Sequence, residues 1–153
     1  MPEQGQSREL SRAEACEREA DAVTAEEGTA TADSTEADNY RLQAFECCLA
    51  MKLVCSHGWP QATAILAMQA VRSAANALLA AYAGVSATGE GADPIVLLYR
   101  HVRRFRTEPA LAWGAEVLAL EEDLGYYGMK LSRDETRRIV TLAEAFCDWS
   151  KVT

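Results

Sequence analysis

The stretch Pro60–Ala83, PQATAILAMQAVRSAANALLAAYA, decides the fold class. Met68, Val71, Ala75, Leu78 and Tyr82 recur at steps of three and four, the period of one face of an α-helix. Its many alanines favour helix and let a neighbouring helix approach closely. Pro60 suits the first helical position, where its missing N–H costs nothing, and Gly84 is placed to end the helix in a left-handed conformation.

The flanking sequence repeats this pattern. Leu42, Phe45, Leu49 and Leu53 mark one apolar face of a helix over residues 39–54, and Ser56-His57-Gly58-Trp59 breaks it. Asp93-Pro94 caps a helix over residues 94–106 that buries Ile95, Leu98, Val102 and Phe105. Pro109 restarts the chain into a helix reaching Tyr127, with Trp113, Val117, Leu120 and Leu124 on one side and Gly125 and Gly128 at its end. Ser132-Arg133-Asp134-Glu135 is a capping box for a last helix with the stripe Ile139, Leu142, Ala143, Phe146 and Trp149. No segment alternates apolar and polar residues, so no strand is expected. Short connections favour antiparallel neighbours. The expectation is an all-α fold, an up-and-down antiparallel four-helix bundle with an additional fifth helix.

Charge divides the chain in two. Residues 1–38 hold eleven carboxylates against three arginines and account for the entire net charge of −8. Residues 39–153 carry twelve acidic and twelve basic side chains. With Leu10 and Val23 as its main large apolar residues, the first part cannot bury enough surface to fold, and a disordered acidic tail is expected over residues 1–38 ahead of a helical-bundle domain over residues 39–153. No secretory signal or membrane-spanning stretch is expected. Five cysteines (Cys16, Cys47, Cys48, Cys55 and Cys147) are an odd number at irregular spacing, which points to reduced thiols and a cytoplasmic location.

The residues exclude several chemistries. A di-iron bundle needs Glu-x-x-His pairs, and Val54 and Leu98 stand three residues before His57 and His101. Walker and His-Glu-x-x-His patterns are absent, and Gly89-Glu90-Gly91 lacks the third glycine of a dinucleotide fingerprint. Cys48, Cys55 and His57 are too loosely spaced for structural zinc, so no metal and no cofactor is expected. Glu121-Glu122-Asp123 fan around a helix and read as a solvated face, with Glu116 on its rim. The arginines carry more meaning. Arg100, Arg103 and Arg104 share one side of the third helix, and Arg133 and Arg137 stand four apart on the last. These five are the candidate nucleic-acid contacts, with no catalytic residue assigned. A flexible acidic tail folding back over them would screen them in a salt-dependent way.

The segments ATAILAMQAVRSAANALLAAYAG, TGEGADPIVLLYR and YYGMKLSRDETRRIVTLAEAFCDW resemble the HEPN superfamily of helical bundles, and with the first helix they cover most of residues 40–150. The resemblance implies a homodimer, and a setting in prokaryotic defence or toxin–antitoxin systems with RNA or a nucleotidyltransferase as partner. The ribonucleases of that family carry an arginine four to six residues before a histidine, and neither His57 nor His101 has one. The resemblance therefore implies a non-catalytic interaction module. Two alternatives stand beside it: a diverged ribonuclease toxin using His57 or His101, and a helical adaptor unrelated to HEPN proteins.

Overall fold

A computed structural model describes residues 2–22, 28–88, 92–127 and 130–153. The expected loop Gly89-Glu90-Gly91, Val23 and the helix-end Gly128 lie outside the described residues, as do the side chains of Leu10, Asp123 and Gly125–Tyr127. The chain is an all-α helical bundle. Its helices are α1 (Pro2–Ala22), α2 (Ser34–Ser56), α3 (Pro60–Ala83), α4 (Pro94–His101), α5 (Pro109–Leu118), α6 (Leu120–Tyr127) and α7 (Arg133–Val152).

The caps form where the side chains call for them. The Asp93 carboxylate accepts from the amides of Ile95 and Val96, and Ser132 accepts from the Glu135 amide while its hydroxyl donates to the Glu135 carboxylate. Gly84 closes α3 at φ +67°, a left-handed geometry that glycine adopts without steric cost. Asp33 caps α2 through the Glu36 amide, so that helix starts five residues before the expected Asn39.

Helix α3 is the centre of the bundle, packed on α2, α7, α4 and α5. It is also the one described helix long and apolar enough to cross a membrane, closer to that limit than its sequence alone suggested. The fold accounts for this, because two-thirds of its most apolar window is buried within the bundle. Most of the bulk comes from its neighbours: Met51, Ile95, Leu98, Tyr99, Leu111, Val117 and Phe146 are fully buried.

The helix directions are richer than an up-and-down order. Phe45, Cys48 and Lys52 of α2 meet Lys151, Cys147 and Glu144 of α7, so these two run antiparallel. At one end of α3 Pro60 lies beside Leu131 and Arg133, and at the other the Tyr82 hydroxyl donates to the Thr153 carbonyl. Helices α3 and α7 therefore run the same way, because the segments between them are short and turn repeatedly. The expected helix over residues 94–106 stops at His101, since Val102 takes a non-helical conformation, and continues as a 3-10 turn over Arg103–Thr107. The Tyr99 carbonyl freed at this break accepts from Arg106 Nε at 2.7 Å. The expected helix to Tyr127 is likewise divided, between α5 and α6.

Two further expectations are corrected. A two-stranded antiparallel sheet pairs β1 (Thr29–Thr31) with β2 (Val85–Ala87), extended by hydrogen bonds from Ala32 to Gly84 and from Thr88 to Gly28. Strands of three residues are too short to show alternation, and the buried Asn76 side chain holds β2 by accepting from the Ala87 amide at 2.8 Å. The acidic segment is the second. From Arg12 to Ala22 it is a docked helix, not a disordered tail. Ala13, Cys16 and Ala20 form a stripe of small side chains that fits against α4 and α5 without needing large apolar residues. Arg12 donates to the Glu116 carbonyl at 3.0 Å, and Arg106 pairs with Asp21 at 3.0 Å and Glu17 at 3.6 Å.

Candidate functional site

The cations sort by partner. Arg41, Lys52, Arg72, Arg106, Arg138 and Lys151 are in ion pairs, while Arg12 and Arg18 donate to backbone carbonyls. Among the described residues, Arg100, Arg103, Arg104, Arg133 and Arg137 have no carboxylate within salt-bridge distance. These are the five arginines that the sequence singles out. Of the acidic segment's described carboxylates, Glu17 and Asp21 engage Arg106, and none is within salt-bridge distance of these five.

The structure does not unite the five. The helical break at Val102 removes the common face expected of Arg100, Arg103 and Arg104. The Arg104 guanidinium instead lies over the Tyr82 ring, 4.5 Å from its centroid, and 5.2 Å from that of Phe105. Phe105 in turn meets Tyr82 and Trp149 edge-on, so this end of the bundle is an aromatic cluster topped by a cation. Arg133 and Arg137 lie at the other end of α7, with Trp149 twelve residues beyond Arg137, roughly 18 Å along the helix axis.

At that second end Arg133 and Arg137 line a groove of about 500 Å³ with Cys55, Trp59, Pro60 and Leu131. A hollow of about 390 Å³ continues past Trp59 and Leu131 to Gln61 and Lys130. Trp59 is exposed, stacked on His57 at 5.2 Å between ring centroids. It sits at the start of α3, where no side chain caps the first turn, so that turn's amides add a partial positive charge. Asp134 and Glu135 occupy the first turn of α7 and reduce the local positive field. The groove thus offers two cations, a planar apolar surface and helix amides. Such a set takes an anionic group attached to a flat ring.

Trp59, Leu131 and Thr136 are lining residues that sequence reasoning missed. Trp59 read as part of a helix break; the available signal was a large aromatic residue outside every apolar stripe, immediately before a first-turn proline.

The two histidines differ. His57 is exposed, flanked in sequence by Ser56 and Gly58, which line the arginine groove. His101 Nε2 is buried without a hydrogen-bond partner, and burial followed by the neighbouring Arg100 depresses its pKa. The Cys48, Cys55 and His57 set does not converge: the Cys48 thiol is hydrogen-bonded to Cys147 between α2 and α7, while His57 faces solvent. Among the described residues no three His, Cys, Asp or Glu side chains gather as a metal would require.

The acidic run is partly engaged rather than simply solvated. Arg72 bridges the Glu121 carboxylate at 2.7 Å and the Ala92 carbonyl at 3.3 Å, and Glu122 is exposed. Beside them Asp93 has a raised pKa, chiefly from burial, against the lowering effect of its two amide donors. Burial also pushes the Cys16 thiol up to about 12. Glu116, read as a rim residue, holds Arg138 in a bidentate pair at 3.1 Å while its carbonyl holds Arg12, linking α1, α5 and α7. These groups have structural partners.

Compared with protein-family models, curated proteins and solved structures, the chain matches none.

Proposed function

We propose that the protein is a non-enzymatic, HEPN-like interaction module of the reducing cytoplasm that dimerises and binds single-stranded RNA at the Trp59 groove. The observation that carries this reading is the pairing of Arg133 and Arg137, free of carboxylates among the described residues, with an exposed indole. An unstacked base lies on Trp59, and the adjoining phosphates meet the two guanidinium groups. Two packing features support the HEPN part: the alanine-rich α3 is central, and it lies along the final helix. A helical adaptor of another kind would need neither.

The test is titration with a short oligouridine at low salt, read by quenching of Trp59 against a Trp59→Phe control. The Arg133→Ala/Arg137→Ala double variant is expected to bind at least about tenfold more weakly, with a salt slope shallower by about 1 to 2. Equal affinity of the double variant and the parent chain overturns the reading.

One observation favours a second reading, a diverged ribonuclease using His57. The imidazole is exposed and stacks on Trp59, which lines the groove with both arginines, whereas His101 has a buried ring nitrogen and a depressed pKa. Cleavage of RNA by pure protein, abolished by His57→Ala, would replace the first reading with this one.

A further inference from the structure

We propose that the outer face of α2 is a two-fold self-association surface, on which a second copy of the chain lays its own α2 in parallel. This inference rests on the homodimer in the reading above and is independent of RNA contact.

The face is defined by what the bundle leaves uncovered. Leu42, Phe45, Leu49 and Leu53 are 57%, 46%, 52% and 62% exposed, although they form the most regular apolar stripe on this helix. At 100° per residue they fall within a sector of about 80°. The residues that α2 buries in its own bundle are Ala37, Ala44, Cys48 and Met51, on an adjoining face centred about 130° away. Helix α2 is therefore apolar on two faces, and its own fold uses the one with smaller side chains. A contiguous row of large apolar residues on a surface marks an interface.

The charges beside the stripe select the occupant. One edge carries Arg41 and Lys52 and the other carries Glu46. Glu46 has no ion-pair partner among the described residues, and Arg41 has only Asp38, an exposed neighbour one turn back. Arg41 and Glu46 are five residues apart and bracket the seam begun by Leu42 and Phe45. With Leu42 and Leu49 at equivalent seam positions, five residues is the spacing of charge pairs across a parallel two-stranded seam. Two-fold symmetry makes the pair twice, Arg41 of each copy meeting Glu46 of the other. An antiparallel pairing would set each edge against its own copy, Glu46 toward Glu46, whereas Lys52 is already held by Glu144 of its own chain at 2.8 Å.

The extent of the face sets the strength. Four half-exposed large side chains and their flanks, doubled by symmetry, place on the order of 1,000 Å² in the contact, near the low end for a specific interface. A contact of that size suits a weak, concentration-dependent dimer.

The experiment is sedimentation equilibrium of the full chain over about 1–200 μM, a range that brackets such an affinity. The parent chain is expected to pass from monomer to dimer. Leu49→Asp, a change at an exposed site, weakens the dimer at least about tenfold, with helical circular dichroism unchanged. Arg41→Glu weakens it, and adding Glu46→Arg to that variant restores it, a result that loss of folding would not produce. A chain monomeric at the highest concentration overturns both this inference and the homodimer. A dimer indifferent to Leu49→Asp and to the charge exchange overturns the α2 surface alone. For the orientation, Leu49→Cys with Cys47 replaced by serine is expected to give a covalent dimer on mild oxidation, because a parallel seam sets position 49 against itself. Its failure in a chain that still dimerises overturns the parallel arrangement. The Trp59 titration with oligouridine, repeated on Leu49→Asp, separates failure of this surface from failure of the RNA reading.

Discussion

Helices α2 and α3 are 23 and 24 residues long and pack against each other, yet they dispose of their large apolar side chains in opposite ways. In α3 the residues from Ser73 to Ala80 are buried all round, because α2, α4, α5 and α7 pack closely around it, with α6 at its edge. In α2 the alanines, Cys48 and a single large residue, Met51, are buried, and the leucines face outward. Close approach explains both. Ala64, Ala67, Ala70 and Ala74 of α3 and Ala37, Ala44 and Cys48 of α2 keep the central layer thin, and most of the bulk that fills the space comes from α4, α5 and α7, with Met51 of α2 and Val71, Leu78 and Leu79 of α3 beside it. A helix that contributes alanines to a seam has its larger residues left for another surface. Apolar periodicity identifies a face, but it does not say which molecule covers it.

That contrast can be broken at several points. The largest expected effect is on the filled side: Phe146→Ala removes a fully buried ring that packs with Trp149 and borders Gly114, and should destabilise by about 3–5 kcal/mol in urea unfolding. Next is Gly114→Ala. A methyl group there would lie 2.8 Å from Ile95 Cδ1 and 3.0 Å from the Phe146 ring, so a loss of about 1–3 kcal/mol is expected, and an unchanged midpoint would show that the α5–α7 seam yields easily.

The thiol pair between α2 and α7 gives a smaller effect with a definite sign. The hydrogen bond from Cys147 lowers the Cys48 pKa to about 7, from an ordinary 9.0, with Lys52 assisting; the same contact raises that of Cys147. Between pH 7 and 9 the folded chain has released the Cys48 proton and the unfolded chain has not, so stability rises with pH across this window. Above pH 9 the unfolded chain ionises Cys147 and Cys16 while the folded one retains their protons, and stability falls. Cys48→Ser should flatten the rise, as followed by urea midpoints across this range. The smallest effect belongs to the outer face. Leu49→Ala at concentrations where the chain is monomeric should change stability by less than about 0.5 kcal/mol, whereas a loss near 3 kcal/mol would place Leu49 in the core after all.

Much of the fold was legible because it depends on local rules. Asp93-Pro94, Ser132 with Glu135, and Gly84 cap or end helices through contacts within a few residues, and each acts as its residue type dictates. Long-range features were not legible. The docking of α1 depends on a groove whose shape is set by α4 and α5, and its small-residue stripe is no different from that of a solvated segment. The break at Val102 contains neither glycine nor proline and is stabilised by Arg106, seven residues beyond the carbonyl it caps. The candidate site divides similarly. Its arginines could be picked out by sign and spacing. That two of them would share a groove with Trp59, more than seventy residues earlier in the chain, required the parallel placement of α3 and α7.

The small sheet has a consequence for the order in which the chain assembles. Its strands flank the α2–α3 hairpin, and pairing Thr31 with Val85 directly from an open chain would close a loop of more than fifty residues for a few hydrogen bonds. Once α2 and α3 lie side by side, Asp33 and Gly84 are already neighbours, since the Ala32 amide bonds the Gly84 carbonyl at 2.9 Å, and the entropy of closure has been met by the hairpin. The ladder is then a late latch. Its amides, together with that of Thr88 on the Gly28 carbonyl, should exchange with solvent whenever the hairpin opens, reporting the separation of α2 from α3 from a site outside both helices.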